Sequence, residues 1–329
     1  MDIKYTKMKL ADTFPPIINI FKILKLFRII VKDVVVLPGP SSIDLGNLVA
    51  QKLKVETIPV DVRVFSDGES KIRVNSNLNN KKCIVVQSTY PPVDSNFLQA
   101  FMIVSSCYAS GASEVIVIMP YMGYARQDRS FLEGECITIS LIANMLECIR
   151  VRNLVTVDIH SERALSYFNL NILNISSVNS LASYAQAQFD LSNPVVVSPD
   201  IGGLPRAKEF AQIIGSDCFG LRKSRDRITG EVTIDENFDI AVQDRDIVFI
   251  DDMISSGGTL LKALDLMKRN HCRKVYAMCV HALADESSIN SLRNAGLCEI
   301  VSTNSVPRSC SRVDLSREIS EIITSSAIL

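Results

Sequence analysis

The chain repeats itself. Val34-Val35-Val36-Leu37-Pro38 returns as Val195-Val196-Val197-Ser198-Pro199, 161 residues later, and Ala50-Gln51 returns as Ala211-Gln212 at the same offset. Ile84-Val85-Val86 parallels Ile247-Val248-Phe249 at an offset of 163, and Val115–Met119 parallels Val275–Val280 at about 160. Each member of the Ile84/Ile247 pair precedes an apolar helical stretch, over Phe97–Ser110 and Thr259–Asn270. Order and spacing are preserved together, so the chain reads as one unit written twice. The unit boundaries fall near 33–175 and 176–310. A leader over 1–32 stands in front, and a C-terminal helix over 311–329 follows.

Each copy carries short Val/Ile runs separated by helical patterns. Val34–Leu37, Ile84–Gln87, Val115–Met119, Leu154–Asp158, Val195–Ser198, Ile247–Ile250 and Val275–Val280 are continuous rather than alternating. Continuous apolar strands between helices belong to parallel sheets covered on both faces. The expected class is therefore α/β, with two tandem domains, each a mostly parallel sheet flanked by helices. In such sheets ligands collect at the carboxyl ends of the strands.

Composition closes several doors. The formal net charge is −1, which excludes binding held mainly by a broad basic surface, so no nucleic-acid partner is expected. Trp is absent and aromatics make up 6%, too few for a platform that stacks single strands. There are 9 Cys with no C-x-x-C pair, an arrangement that points to reduced thiols in the cytoplasm rather than a disulfide framework or zinc knuckle. Residues 14–31 are apolar, but Lys22, Lys25 and Arg28 interrupt them, which suits neither a spanning helix nor a secretory signal. No membrane partner is expected. The leader reads as an extension, with a basic amphipathic surface helix as the alternative.

The strand ends carry the chemistry. Asp251-Asp252-Met253-Ile254-Ser255-Ser256-Gly257-Gly258-Thr259 follows one strand and opens a helix. Two carboxylates there can accept sugar hydroxyls or approach a metal. Small residues let backbone N–H groups converge on an anion, and the helix start adds its dipole. An ordinary acidic cap accounts for far fewer of these nine positions. Ser198-Pro199-Asp200-Ile201-Gly202-Gly203 ends a second strand, Thr156-Val157-Asp158-Ile159-His160 a third, and Tyr121 to Arg129 follows a fourth. Phe65-Ser66-Asp67-Gly68-Glu69 precedes them all, and Leu221-Arg222-Lys223-Ser224-Arg225-Asp226-Arg227 forms a basic run before Thr229-Gly230-Glu231. By composition alone that run is a solvated loop.

The nine-residue motif resembles the ribose-phosphate loop of the phosphoribosyltransferase-type fold. All the motifs together, in order, resemble the ribose-phosphate pyrophosphokinase family over roughly 33–325. That family is itself built from two phosphoribosyltransferase-like halves, in agreement with the repeat. The resemblance implies transfer of the β,γ-diphosphoryl group of ATP to the C1 hydroxyl of ribose 5-phosphate, with Mg2+ as cofactor. Such a transfer needs alignment and cations on the non-bridging oxygens.

By the same resemblance, Lys223 and Arg225 are catalytic. Phe65, Asp67, Glu69, Arg126, Gln127 and Asp128 bind ATP. Asp251, Asp252, Ser255, Ser256, Gly257, Gly258 and Thr259 bind ribose 5-phosphate. Asp200, Gly202 and Gly203 form the diphosphate loop, while His160 and Asp200 attend the metal. The segment around Phe65 reaches a neighbouring subunit in the family, so a homo-oligomer with a shared adenine site is implied. Many members carry Asp and Thr where this chain has Ser255 and Ser256. The serines resemble an archaeal-like subgroup and leave no carboxylate at 255. Two other readings compete. A regulatory paralogue would show damage at Lys223, His160 or the acidic pair, which are intact. An ordinary phosphoribosyltransferase would need only one half.

Overall fold

The computed structural model describes residues 33–225, 232–235, 238, 240–326 and 328–329, with the backbone alone described at 224–225 and 232–234. The leader 1–32, Asp226 and Arg227 of the basic run, and residues 228–231 after it lie outside the described residues.

The first copy runs β1 (Val34–Pro38), α1 (Ile43–Leu53), β2 (Glu56–Thr57), β3 (Val60–Val64), β4 (Ser70–Val74), β5 (Lys82–Val86) and α2 (Val93–Ala109). It continues with β6 (Glu114–Met119), α3 (Thr138–Cys148), β7 (Asn153–Val157), α4 (Glu162–Leu165) and β8 (Asn171–Ile175). The second copy runs α5 (Val178–Gln188), β9 (Val195–Ser198), α6 (Leu204–Ile214), β10 (Asp217–Gly220), β11 (Lys223–Arg225), β12 (Val232–Ile234) and β13 (Ile247–Ile254). It ends with α7 (Gly258–Arg269), β14 (Val275–Ala282), α8 (Glu286–Asn294), β15 (Glu299–Thr303), β16 (Ser311–Val313) and α9 (Ser316–Ser325).

The repeat in the sequence is a repeat of topology. One six-stranded sheet has the order β2-β1-β5-β6-β7-β8, the other β10-β9-β13-β14-β15-β16. Every pairing within them is parallel. Each copy also sets aside a two-stranded antiparallel hairpin between its second and third sheet strands, β3–β4 in one and β11–β12 in the other.

The continuous apolar runs are explained by burial on both faces. Val35 and Leu37 join one core with Phe97, Ile103, Ile139 and Leu146 of α2 and α3. Val195 and Val197 join another with Leu260, Leu264, Ile289 and Leu292 of α7 and α8. The alternate residues Val34, Val36, Val196, Val248 and Ile250 share a third core with Leu181, Phe210 and Ile319, so the inward faces of both sheets draw on one central layer. Each large side chain so buried contributes about 1.5–3 kcal/mol.

Three expectations shift in detail. β13 runs on to Ile254 instead of stopping at Ile250, because β14 extends alongside it and pairs Asp251 with Cys279 and Met253 with His281. The acidic pair thus lies within a strand, whose ladder fixes its direction. α7 starts at Gly258, so Gly258 and Thr259 belong to its first turn. At the C-terminus, residues 311–313 form the edge strand β16, and only Ser316–Ser325 is helical. That helix packs across the chain onto α1 of the first copy.

Polar contacts stitch the copies together. Ser88 Oγ donates to the Ser305 carbonyl at 2.5 Å. His281, buried in β14, sits 3.1 Å from the Val157 carbonyl through Nε2 and 2.8 Å from Ser305 Oγ through Nδ1. The carbonyl can only accept, so Nε2 carries the proton and Nδ1 accepts from Ser305.

Candidate active site

A cleft of about 140 Å³ opens between the carboxyl ends of the two sheets. The first copy supplies Arg126 and His160 to its wall, and the second supplies Asp200, Lys223, Asp251, Asp252 and the whole of Ser255–Thr259. Motifs separated by more than a hundred residues therefore meet at one place.

The floor is acidic. Asp252 is buried, and its Oδ2 lies 2.5 Å from His160 Nδ1. Burial opposes its charge, but the His160 bond and the positive charges of His160 and Arg206 outweigh that and hold the carboxyl below the usual range. Asp251 goes the other way. Burial first, then repulsion from Asp252 and Asp200, pushes its carboxyl well above the usual range. Adjacent carboxylates, of which Asp251 lacks a compensating cation, offer hard oxygen donors that suit a divalent cation. Among the described residues no three His, Cys, Asp or Glu side chains are already gathered in coordinating geometry.

Two turns shape the anion end. Gly257 precedes α7 with φ of 74°, a left-handed conformation that suits glycine, and an added Cβ would come within 3.3 Å of Leu292. The first-turn N–H groups of α7 have no partner within the helix and point toward the cleft. Across from it, Gly203 N donates to Asp200 Oδ1 at 3.0 Å. A Cβ on Gly203 would strike Ser198 Oγ at 2.4 Å, so glycine is needed for the turn to close. Lys223 Nζ reaches Asp200 Oδ2 at 2.5 Å. Burial works against the Asp200 charge, and the Lys223 ion pair overcomes it and keeps the carboxyl low.

Other expected residues lie elsewhere. Phe65, Asp67 and Glu69 form the tip of the β3–β4 hairpin, away from the cleft wall. Phe65 N donates to the Glu69 carbonyl at 2.9 Å and Glu69 N to Asp67 Oδ1 at 3.1 Å, so the tip is a closed turn. Arg63 stacks over the Phe65 ring at 4.7 Å. Gln127 is exposed and accepts from Thr138 Oγ1 at 2.6 Å. Asp128 is turned inward instead of toward the cleft. It is 3% exposed and accepts from Ser161 Oγ at 2.7 Å, which ties the Arg126 loop to the start of α4. Arg225 is placed in β11 by its backbone, pairing with Val232.

The sequence motifs assign no role to Asp158, quoted only as the neighbour of His160, and do not include Arg206 or His281. Asp158 directly follows β7 with φ of 40°, and its Oδ2 accepts from Ser177 N at 2.8 Å and Ser177 Oγ at 2.6 Å. A signal was present for Arg206, a cation three residues beyond the Gly202-Gly203 turn.

Two family models match the chain. The N-terminal domain of ribose phosphate pyrophosphokinase covers residues 34–149, and the phosphoribosyl transferase domain covers 170–301. The ribose-phosphate pyrophosphokinase of Sulfurisphaera tokodaii is 33% identical over 279 residues, spanning 85% of this chain and 95% of the relative. The chain belongs to the ribose-phosphate pyrophosphokinase family. The pyrophosphokinase of Methanobrevibacter smithii is 31% identical over 88% of this chain and 99% of its own length. The crystal structure of phosphoribosylpyrophosphate synthetase from Mycobacterium smegmatis superposes with a TM-score of 0.80 at 23% identity, covering 90% and 99% of the two chains, and confirms the fold. Like other members of that family, the chain has two phosphoribosyltransferase-like halves, as its repeat indicates.

Proposed function

We propose that the cleft between the two sheets carries out the family's reaction, ribose 5-phosphate plus ATP giving phosphoribosyl diphosphate and AMP, with the labour divided between the copies. The observation that carries this reading is the meeting of Arg126 and His160 with Lys223, Asp200, Asp251, Asp252 and Ser255–Thr259 around one cleft.

The second copy, 176–310, holds ribose 5-phosphate. The first turn of α7 and the hydroxyls of Ser255, Ser256 and Thr259 take the 5-phosphate. Asp251 and Asp252 face the ribose hydroxyls. The first copy, 33–175, holds ATP, with Arg126 forking onto its phosphates and Gln127 beside it. Asp128 serves this site from behind, by holding the loop. The sugar's C1 oxygen attacks the β-phosphorus and AMP leaves. Lys223 moves from Asp200 to the oxygens of the transferred group, and Arg225 joins it from the same hairpin. Asp200, Gly202 and Gly203 face the diphosphate. His160 orients Asp252, and His160 and Asp200 attend the metal. Bound Mg2+ would neutralise charge on the phosphates, with Asp251, Asp252 and Asp200 as the oxygen donors that fit it.

Phe65, Asp67 and Glu69, on a hairpin away from this cleft, are offered to the adenine site of a neighbouring copy, in a homo-oligomer. The described residues hold no helix long and apolar enough to cross a membrane. The nine unpaired thiols favour the cytoplasm. Incubation with ATP, Mg2+ and ribose 5-phosphate should release AMP in step with phosphoribosyl diphosphate. Substrate binding without AMP would overturn the reading.

A further inference from the structure

We propose that Arg206 is a positioning residue that locks the strand ends of the two copies into one site, acting through Asp158 and Asp252. The inference rests on the reading of the cleft given above and deepens it.

Arg206 lies in the first turn of α6, behind the cleft wall and outside its lining. Its Nη2 is 3.7 Å from Asp158 Oδ1, across the boundary between the copies. Its Nε is buried and, among the described residues, donates to nothing. A buried donor left without a partner is costly, so some other interaction must hold the guanidinium there. Its charge acts on the Asp252 carboxylate as well. The two oxygens of Asp158 are thereby divided, one facing Arg206 and the other accepting from Ser177.

Asp158 stands two residues before His160. Its positive φ turns the chain at the end of β7, and Ile159 N is held by Asn174 Oδ1 at 3.0 Å. His160 emerges from this turn to meet Asp252 at 2.5 Å. Arg206, Asp158, His160 and Asp252 thus form a series that passes from the second copy to the first and back, in contact at Arg206–Asp158 and at His160–Asp252. If the Arg206 charge is removed, Asp158 is left without its cation, the turn loosens, and His160 loses its fixed approach to Asp252. The contact is one long ion pair with no fork, so charge matters here more than guanidinium shape.

Four variants of the full chain test this: Arg206→Met, Arg206→Lys, Asp158→Asn and the double variant that combines the first and third. Arg206→Met should lower kcat by about 100-fold, the scale of a small misplacement of reacting groups, with the KM for ATP within about threefold. Arg206→Lys should recover to within about tenfold. The Arg206→Met/Asp158→Asn double variant should lose little more than the worse single one, since both break the same contact. The chain has 3 His, so the His160 imidazole signals can be assigned by NMR. They should move in Arg206→Met and return in Arg206→Lys. A kcat unchanged by Arg206→Met, additive losses, or unmoved His160 signals would each overturn the proposal. The NMR arm needs no turnover. Its failure therefore sinks the role of Arg206, whereas absent AMP from the unaltered chain sinks the reaction.

Discussion

In the first copy the β3–β4 hairpin is five residue pairs long and ends in the exposed turn at Asp67 and Glu69, clear of the cleft. In the second, the hairpin in the same topological slot, β11–β12, has three pairs and brings Lys223 onto Asp200 at the cleft wall. The fold asks only for a connection between neighbouring parallel strands at that point, and the two copies have filled it with different chemistry. An aromatic ring and two carboxylates suit a purine base. Cations two residues apart suit phosphate oxygens. The same contrast recurs at the strand ends. The second copy builds a glycine turn into a helix start for an anion, and the first offers Arg126 and His160 instead.

Lys223→Ala gives the largest effect and breaks the comparison at its catalytic side. It should reduce kcat by roughly 10²–10³, the usual loss when one donor to developing charge is removed. Ribose 5-phosphate binding, measured by calorimetry, should survive, because the α7 turn is untouched. A near-normal rate would move catalysis away from this hairpin. Phe65→Ala tests the other hairpin and should act differently. Loss of a stacked base is worth ~1–3 kcal/mol, so the KM for ATP should rise about tenfold with kcat nearly unchanged. If the ring serves a neighbouring copy, the KM of the unaltered enzyme also rises on dilution below the association range. A KM independent of concentration, with Phe65→Ala silent, would leave the first hairpin without a role in ATP binding.

Legibility in the sequence followed the physics of each element. The strands were readable because burial on both faces demands uninterrupted apolar runs such as Val195–Val197, and the repeat was readable because both sheets need those runs in the same order. The nine positions from Asp251 to Thr259 were readable because an anion turn needs small residues in a row. Where β13 ends was not, since Asp251 and Asp252 are strand residues only because β14 continues beside them. The inward turn of Asp128 depends on Ser161, and the role of Arg206 on Asp158; both are contacts between segments far apart in the chain. The packing of α9 onto α1 belongs to the same class.

The seam between the copies gives the smallest effect on activity and the clearest one on stability. His281 is buried there at 2% exposure, bonded to Val157 of the first copy and Ser305 of the second. Burial, helped by the charge of Arg206 and resisted by Asp158 and Asp252, pushes its imidazole down from 6.5 to about 4. The folded chain therefore refuses a proton that the unfolded chain accepts below 6.5. Stability is fully present above that value and drains away as pH falls through the window toward 4. Over the whole window this amounts to about 3 kcal/mol, at roughly 1.4 kcal/mol per pH unit. His281→Gln removes the titration while keeping hydrogen-bonding atoms at the seam. Melting curves should show a shallower loss of stability for the variant between pH 6.5 and 4, with activity at pH 7.5 close to that of the unaltered chain. Parallel curves for the two proteins would mean that His281 is reached by protons in the folded state, and that the two copies part more readily than the buried seam allows.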